Sequence, residues 1–371
     1  MRKRTQHYSG IGGQAVLEGV MMKNKKMYAV AVRRPDREIE VQVDEYHGIL
    51  EHSVISKVPF LRGIFVFLDS LILGFRALGY SSSFYEDEDE EPTKFDKKMD
   101  RATRGNGETV MQVVTMIIAF SLAAFLFVLV PYFFAELLAK YLRSPSVLAL
   151  AEGILRLVIF LVYIWAITAM KDIHRLYQYH GAEHKCINCI ESGKPLTVEN
   201  ARESSRFHKR CGTSFLLLVL LVSIILFFFI RVDSRVLRLA LRFVLIPVIA
   251  GISYELIRLA GRSDNLFVRI FSAPGLWLQR LTTKEPDDDM LEVAIASVEA
   301  IFDWKRYLRR EFGWTEETED MPAAADAAEM SGLMRQREHL LPLPCRPEGK
   351  NLTARRAGPL NEQNHLPVLA G

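Results

Sequence analysis

The sequence predicts a mainly α-helical polytopic membrane bundle of about four spans, with a small cytoplasmic α+β region at its N-terminus. Three observations carry this expectation. The apolar residues are gathered into four long blocks, basic residues cluster in the segments between them, and short β-prone runs precede the first block. Whole-chain averages hide the pattern. Of 371 residues, 50% are hydrophobic and 25% charged, and mean hydropathy is only +0.10. So much apolar content excludes wholesale disorder. Four cysteines are too few for a disulfide scaffold, and a net charge of +3 gives no reason to expect a nucleic-acid partner.

Residues 1–27 lack the apolar core of a cleavable signal peptide. Met27–Val32 and Ile39–Val43 are β-prone runs joined by Arg33-Arg34-Pro35-Asp36-Arg37, which predicts a hairpin. Val58–Tyr80 is apolar but carries Arg62, Asp69 and Arg76 at seven-residue intervals, hence on one helical face. That spacing predicts an interfacial or bundle-packed helix rather than a further span. Region 1–80 is thus cytoplasmic α+β. Region 81–111 joins the acidic run Glu86–Glu91 to a basic pre-membrane stretch with Lys97, Lys98, Arg101 and Arg104.

Region 112–260 is the membrane domain, with expected spans Val113–Leu138, Val147–Met170, Ser214–Ile230 and Val236–Leu259. Its middle loop, 171–213, is rich in lysine and arginine, so positive-inside logic places that loop and both termini in the cytoplasm of an inner-membrane protein. Within the spans, Glu152 and Arg156 stand one turn apart and neutralise each other, while Arg238 and Arg242 are expected to snorkel. Region 261–315 reads as an interfacial segment around Trp277 followed by one amphipathic helix over 287–310. Region 316–371, with Cys345, reads as a disordered tail.

The middle loop concentrates metal-capable side chains: three of nine histidines and three of four cysteines fall between positions 180 and 211. It reads His180-Gly-Ala-Glu183-His184-Lys-Cys186-Ile-Asn-Cys189-Ile-Glu191, then His208-Lys-Arg210-Cys211-Gly-Thr213. On a helix, His180 and His184 share a face and reach one ion, with Glu183 beside them as a general base. H-x-x-E-H is the arrangement of inverted zinc metallopeptidases. A second partition competes. Cys186-x-x-Cys189 with His208-x-x-Cys211 has the spacing of a structural zinc knuckle, which leaves His180 and His184 unused.

The chain resembles the YqhQ-like family of bacterial integral membrane proteins, a domain of unknown function described as a predicted metal-dependent enzyme. The matching stretches begin with Gly12-Gly-Gln-Ala-Val-Leu-Glu18-Gly-Val-Met-Met22 and His180-Gly-Ala-Glu-His184-Lys. They continue with Leu196-Thr-Val-Glu199-Asn-Ala201 and His208-x-Arg-Cys211-Gly-Thr, and end with Ser253-Tyr-Glu255 and Gln279-Arg-Leu-Thr-Thr-Lys-Glu-Pro286. They run in order over roughly residues 10 to 300. Two positions depart from the family or bear on the partition: Lys209 stands where the family has proline, and the family fixes cysteines matching Cys189 and Cys211 but not Cys186. The resemblance therefore implies a metal-dependent activity with His180, His184, His208, Cys189 and Cys211 as the ligand pool.

Other positions have two readings each. Gly10-x-Gly12-x-x-Ala15 lacks the preceding strand that a dinucleotide fingerprint needs, because Met1–Ser9 is too polar and basic. Glu18 is either a solvated carboxylate or a distant acidic ligand. Glu199, in a first helical turn after Thr197, is either a dipole-favoured acid or a ligand. Glu255 is either a ligand at the end of the fourth span or the partner of Arg258. Arg210 either binds an anionic group or anchors the third span. The expectation is a metal-dependent hydrolase with a divalent ion, zinc, at the cytoplasmic membrane surface, Glu183 activating water. Its partners are membrane lipids and a membrane-associated substrate: a lipid, a lipid-linked intermediate or a peptide. The rivals are a metal-stabilised scaffold and, third, a metal transporter.

Overall fold

The computed structural model describes residues 7–49, 58–85, 107–142, 144–230, 232, 234–260 and 266–315. The acidic run at 86–91, the basic stretch around Lys97–Arg104 and the tail from 316 lie outside them. The described chain is mainly helical, with a four-stranded antiparallel meander near its start: β1 Ile11–Val16, β2 Gly19–Asn24, β3 Met27–Arg33 and β4 Ile39–Glu45, in spatial order 1-2-3-4. The register pairs Val16 with Gly19, Gly19 with Val32 and Arg33 with Ile39. Glu18 and Lys25, in the two-residue connections flanking β2, take positive φ.

The expected hairpin at 27–43 is thus β3–β4, but it belongs to a larger sheet. β1 and β2 were not foreseen, for two physical reasons: β1 opens on Ile11-Gly-Gly-Gln14, whose glycines carry little β-propensity, and β2 is buried on both faces. Strands buried twice show no polar alternation. Ile11, Val20, Met22 and Ala31 face one apolar core, while Val16, Met21, Val30 and Val32 face a second. The second is closed by Leu73 and Ala77 of α1, Leu61–Ser82. On α1, Arg62 pairs with Glu255 and Asp69 accepts from the Tyr46 hydroxyl at 2.9 Å.

Among the described residues, three helices are long and apolar enough to cross a membrane: the continuous stretch Val113–Leu138, Pro145–Ile167 and Gly212–Phe229. The first is built from α2, Gly107–Ala124, a π-helical turn at Phe125–Leu129 and α3, Val130–Leu138. Pro131 just after that turn accounts for the irregularity, because proline cannot join the i→i−4 ladder. The second is α4 and the third α7. A fourth candidate is the pair α8, Arg235–Val244, and α9, Ile246–Ala260, bent by 41°. Pro247 at the second position of α9 removes the amide that would carry the ladder through the bend. Large apolar side chains stand exposed on these helices, Leu122 at 63% and Phe229 at 73% among them.

Their buried charges pair with one another. Glu152 takes Arg242 in a bidentate pair, through Nε at 2.6 Å and through Nη2, and accepts from Arg156 Nη2 at 2.8 Å. Arg238 reaches Glu136 at 2.6 Å. The snorkelling expected of Arg238 and Arg242 is therefore corrected, since both guanidiniums find carboxylates on neighbouring helices.

Between α4 and α7 lie α5, Lys171–Glu191, and a short α6, Val198–Glu203. After α9 come α10, Leu266–Thr282, α11, Asp288–Ile301, and α12, Trp304–Phe312. The single amphipathic helix expected over 287–310 is two helices. Asp303 caps the second by accepting from the Arg306 amide at 2.8 Å, which restarts the helix after Phe302. The apolar face of α11, with Met290, Leu291, Val293, Ala294 and Val298, is buried in the core shared by the sheet and α5.

Candidate metal centre

α5 carries the H-x-x-E-H stretch on a helix that is buried almost throughout from Tyr179 to Glu191. Helical periodicity sets His180, Glu183 and His184 on adjoining positions of one face. Gly181 is required beside them. An ideal Cβ there would lie 2.0 Å from the Lys284 carbonyl oxygen, in a segment whose Lys284 amide donates to the Tyr177 carbonyl at 2.8 Å.

The opposite wall is the extended chain after α6, whose carbonyls are taken up one after another by α5 side chains. Lys185 Nζ donates to the Arg202 and Ser204 carbonyls at 2.7 and 3.0 Å. Asn188 Nδ2 donates to those of Ser205 and Phe207 at 2.6 and 3.0 Å. His184 Nδ1 lies 2.6 Å from the Arg206 carbonyl. These bonds satisfy the carbonyls of a segment with no regular ladder of its own and lay residues 202–208 along α5. The chain then delivers Cys211, the N-cap of α7, whose Sγ accepts from the Thr213 amide at 3.4 Å.

His180 Nε2 lies 3.2 Å from Cys211 Sγ, and His180 Nδ1 is 2.8 Å from the Thr282 carbonyl. The two imidazole centroids are 4.4 Å apart. One ligand atom from each of His180, His184 and Cys211 falls within 4.8 Å of the others. A carbonyl can only accept, so each Nδ1 must carry a proton, and Nε2 is the ring atom left to bind an ion once its own proton is displaced. This is the second-shell pattern that orients histidine ligands. The spacing fits as well: nitrogen and sulfur ligands at about 2.0 and 2.3 Å from one tetrahedral ion stand about 3.5 Å apart.

Electrostatics tie the three together. Burial works against a charged His180, but the Cys211 thiolate beside it, with Glu183 and the Thr282 carbonyl, raises it to about 9. Burial equally opposes a Cys211 thiolate, yet the two histidines hold that thiol well below its ordinary range. Burial pushes the Glu183 carboxyl up, against the pull of His184 and His180 and of the Gly13 amide that bonds it.

The remaining predicted residues sit elsewhere. His208 is buried 3.6 Å from Glu191, its ring centroid 5.6 Å from that of His184. Glu191 also takes Arg210 and accepts from the Ser9 hydroxyl at 2.7 Å, and Arg210 lies 4.0 Å over the Tyr8 ring. Arg210 is thus engaged inward. Cys189 donates to the Pro195 carbonyl at 3.3 Å, and burial pushes its thiol up to about 12. Burial pushes the Cys186 thiol up as well, and both side chains lie in the apolar core. Among the described residues, the knuckle set of Cys186, Cys189, His208 and Cys211 does not come together. Glu18 pairs with Arg175 and accepts from Tyr179 at 3.2 Å, Glu199 is exposed on α6, and Glu255 binds Arg62 at 2.7 Å, with Arg258 farther off at 3.9 Å. Sequence reasoning assigned no role to Gly13, Thr282 or the Arg206 carbonyl. The first two lie within the stretches that carried the family resemblance, and that was their only signal.

The family described as a protein of unknown function (DUF1385) matches residues 58–304. A relative, the uncharacterized protein YqhQ of Bacillus subtilis (strain 168), is 38% identical over 291 residues, covering 77% of this chain and 90% of the relative. No solved structure matches.

Proposed function

This chain belongs to the DUF1385 family of proteins of unknown function, and we propose that it is a metal-dependent membrane enzyme, a hydrolase whose zinc-type site is held by His180, His184 and Cys211. One observation carries this reading: both imidazoles spend Nδ1 on backbone carbonyls, of Thr282 and Arg206, which frees their Nε2 atoms beside one thiol. A divalent ion there would supply Lewis-acid chemistry. Three protein ligands are the number a catalytic zinc site uses, whereas a structural site closes with four. Glu183 takes the proton from the attacking water, and its burial-raised pKa suits a base that must later return that proton. Gly13 orients the carboxylate through its amide.

A membrane-associated substrate follows from the setting, since α7 starts at the residue after Cys211 and runs as an uncharged apolar helix. Inner-membrane placement, with both termini and the basic 171–213 region cytoplasmic, belongs to the same proposal. A second reading is a metal-stabilised scaffold. It is favoured by the burial of Glu183, His184 and Cys211, each at most 5% exposed.

Metal content of the purified protein tests the site: the His180→Ala/His184→Ala double variant loses the ion that wild type retains, and equal content would reject the assignment. Glu183→Gln separates enzyme from scaffold. It keeps the metal but fails to restore the lipid and metabolite profile of a deletion strain, and full restoration would leave the scaffold.

A further inference from the structure

We propose that Gln279 is the positioning residue of this centre, holding the 208–214 segment on α10 so that Cys211 meets both histidines; the inference rests on the metal reading above. Gln279 is fully buried, and its amide is used completely. Oε1 accepts from the His208 amide at 2.8 Å, while Nε2 donates to the His208 carbonyl at 2.7 Å and to Ser214 Oγ at 2.9 Å. One side chain thus copies a strand-like pairing with a residue 71 positions away and brackets Cys211 from both sides. One turn later, the Thr282 carbonyl takes His180 Nδ1, and its hydroxyl lies 3.4 Å from Thr213 Oγ1, itself 3.0 Å from Cys211 Sγ. A single turn of α10 therefore grips both halves of the centre, α5 through His180 and the returning chain through His208 and Ser214. No other residue type repeats the pattern: glutamate lacks the donors, asparagine is shorter, and an aliphatic chain leaves the buried His208 amide and carbonyl unpaired.

Leu278 supplies the matched control. It is equally buried on the same helix, but it packs in the apolar cluster of Phe160, Ile164 and Leu217. The test uses the full chain purified in detergent and titrated with Co²⁺, reading the thiolate-to-cobalt charge-transfer band together with Tm. Gln279→Met weakens Co²⁺ binding about 10- to 100-fold, the range for lost outer-shell partners, and diminishes the band. Leu278→Ala lowers Tm but binds as wild type. Wild-type affinity and band in Gln279→Met, or an equal loss in Leu278→Ala, overturns the positioning role. If Gln279→Met does not fold, Ser214→Ala removes one of the three bonds alone: weaker Co²⁺ binding supports the role, and unchanged binding overturns it. A wild-type protein without the band overturns the metal reading and this role with it, a result distinct from a wild-type band that survives in Gln279→Met.

Discussion

Gly13 of β1 and Glu183 of α5 meet backbone to side chain. The Gly13 amide bonds the Glu183 carboxylate, and an ideal Cβ on Gly13 would stand 2.9 Å from Glu183 Cγ and 2.8 Å from both Met21 O and Met22 Sδ. The first strand is therefore the wall against which the proposed general base rests. Gly13→Ala is expected to cost about 1–3 kcal/mol, the range for overpacking, while metal content stays at the wild-type level. Tm and bound metal on the same preparation check this, and metal loss from that variant would mean that β1 holds the ligands as well as Glu183.

Gly181→Ala should be more severe. Its Cβ would meet the Lys284 carbonyl at 2.0 Å, so the 282–286 segment must move and take with it the carbonyl that orients His180. The expected outcome is a loss of at least about 3 kcal/mol together with bound metal. Unfolding in detergent and metal analysis measure the two, and a stable, metal-replete variant would contradict the packing described.

Glu191 predicts an acid limb of stability. Burial alone would raise its pKa, but His208, Arg210 and the Ser9 amide hold it down to about 2. A carboxylate lowered in the folded state stabilises above its ordinary value of about 4.5, and that contribution is lost as pH falls toward 2. A Tm profile between pH 7 and pH 3 should therefore drop below about pH 4.5 in wild type. Glu191→Gln should start lower, with Arg210 left unpaired, and lose that drop. Parallel profiles would remove Glu191 as the cause.

Glu152→Gln tests the charge cluster among the apolar helices. It leaves Arg156 and Arg242 buried without their carboxylate, a change expected to cost about 3–5 kcal/mol. Metal content of the folded fraction should not change, because the cluster shares no residue with the centre. Denaturant unfolding in detergent measures the first, and wild-type stability would show that the pair carries no weight.

Local patterns were legible wherever one residue period decides the outcome. Uncharged blocks of bilayer length announce apolar helices, and His180 with His184 at i,i+4 needs only a helix to share a face. Glu152 shows where such reading stops. Arg156 one turn away is visible in the sequence, whereas Arg242 on another helix is not, and the structure makes Arg242 the bidentate partner. β2 escaped because apolar residues on both faces erase the alternation that marks a strand, and β1 because Gly12 and Gly13 give it little β-propensity. The amphipathic character of α11 was legible, but only its partners, the sheet and α5, reveal what covers its apolar face.

By itself the sequence determined the mainly helical class, the apolar helices and the pool of ligand-capable residues around 180–211. Only the tertiary structure decided which of them meet. Cys211 joins His180 and His184, while Cys186 and Cys189 enter an apolar core and His208 turns to Glu191. The reason is physical. Ligand choice depends on where the returning chain is pinned, and that is set by backbone carbonyls bound to His184, Lys185 and Asn188 and by the end of α10. Backbone carbonyls look the same at every position of a sequence, and contacts across 71 residues leave no local period to read.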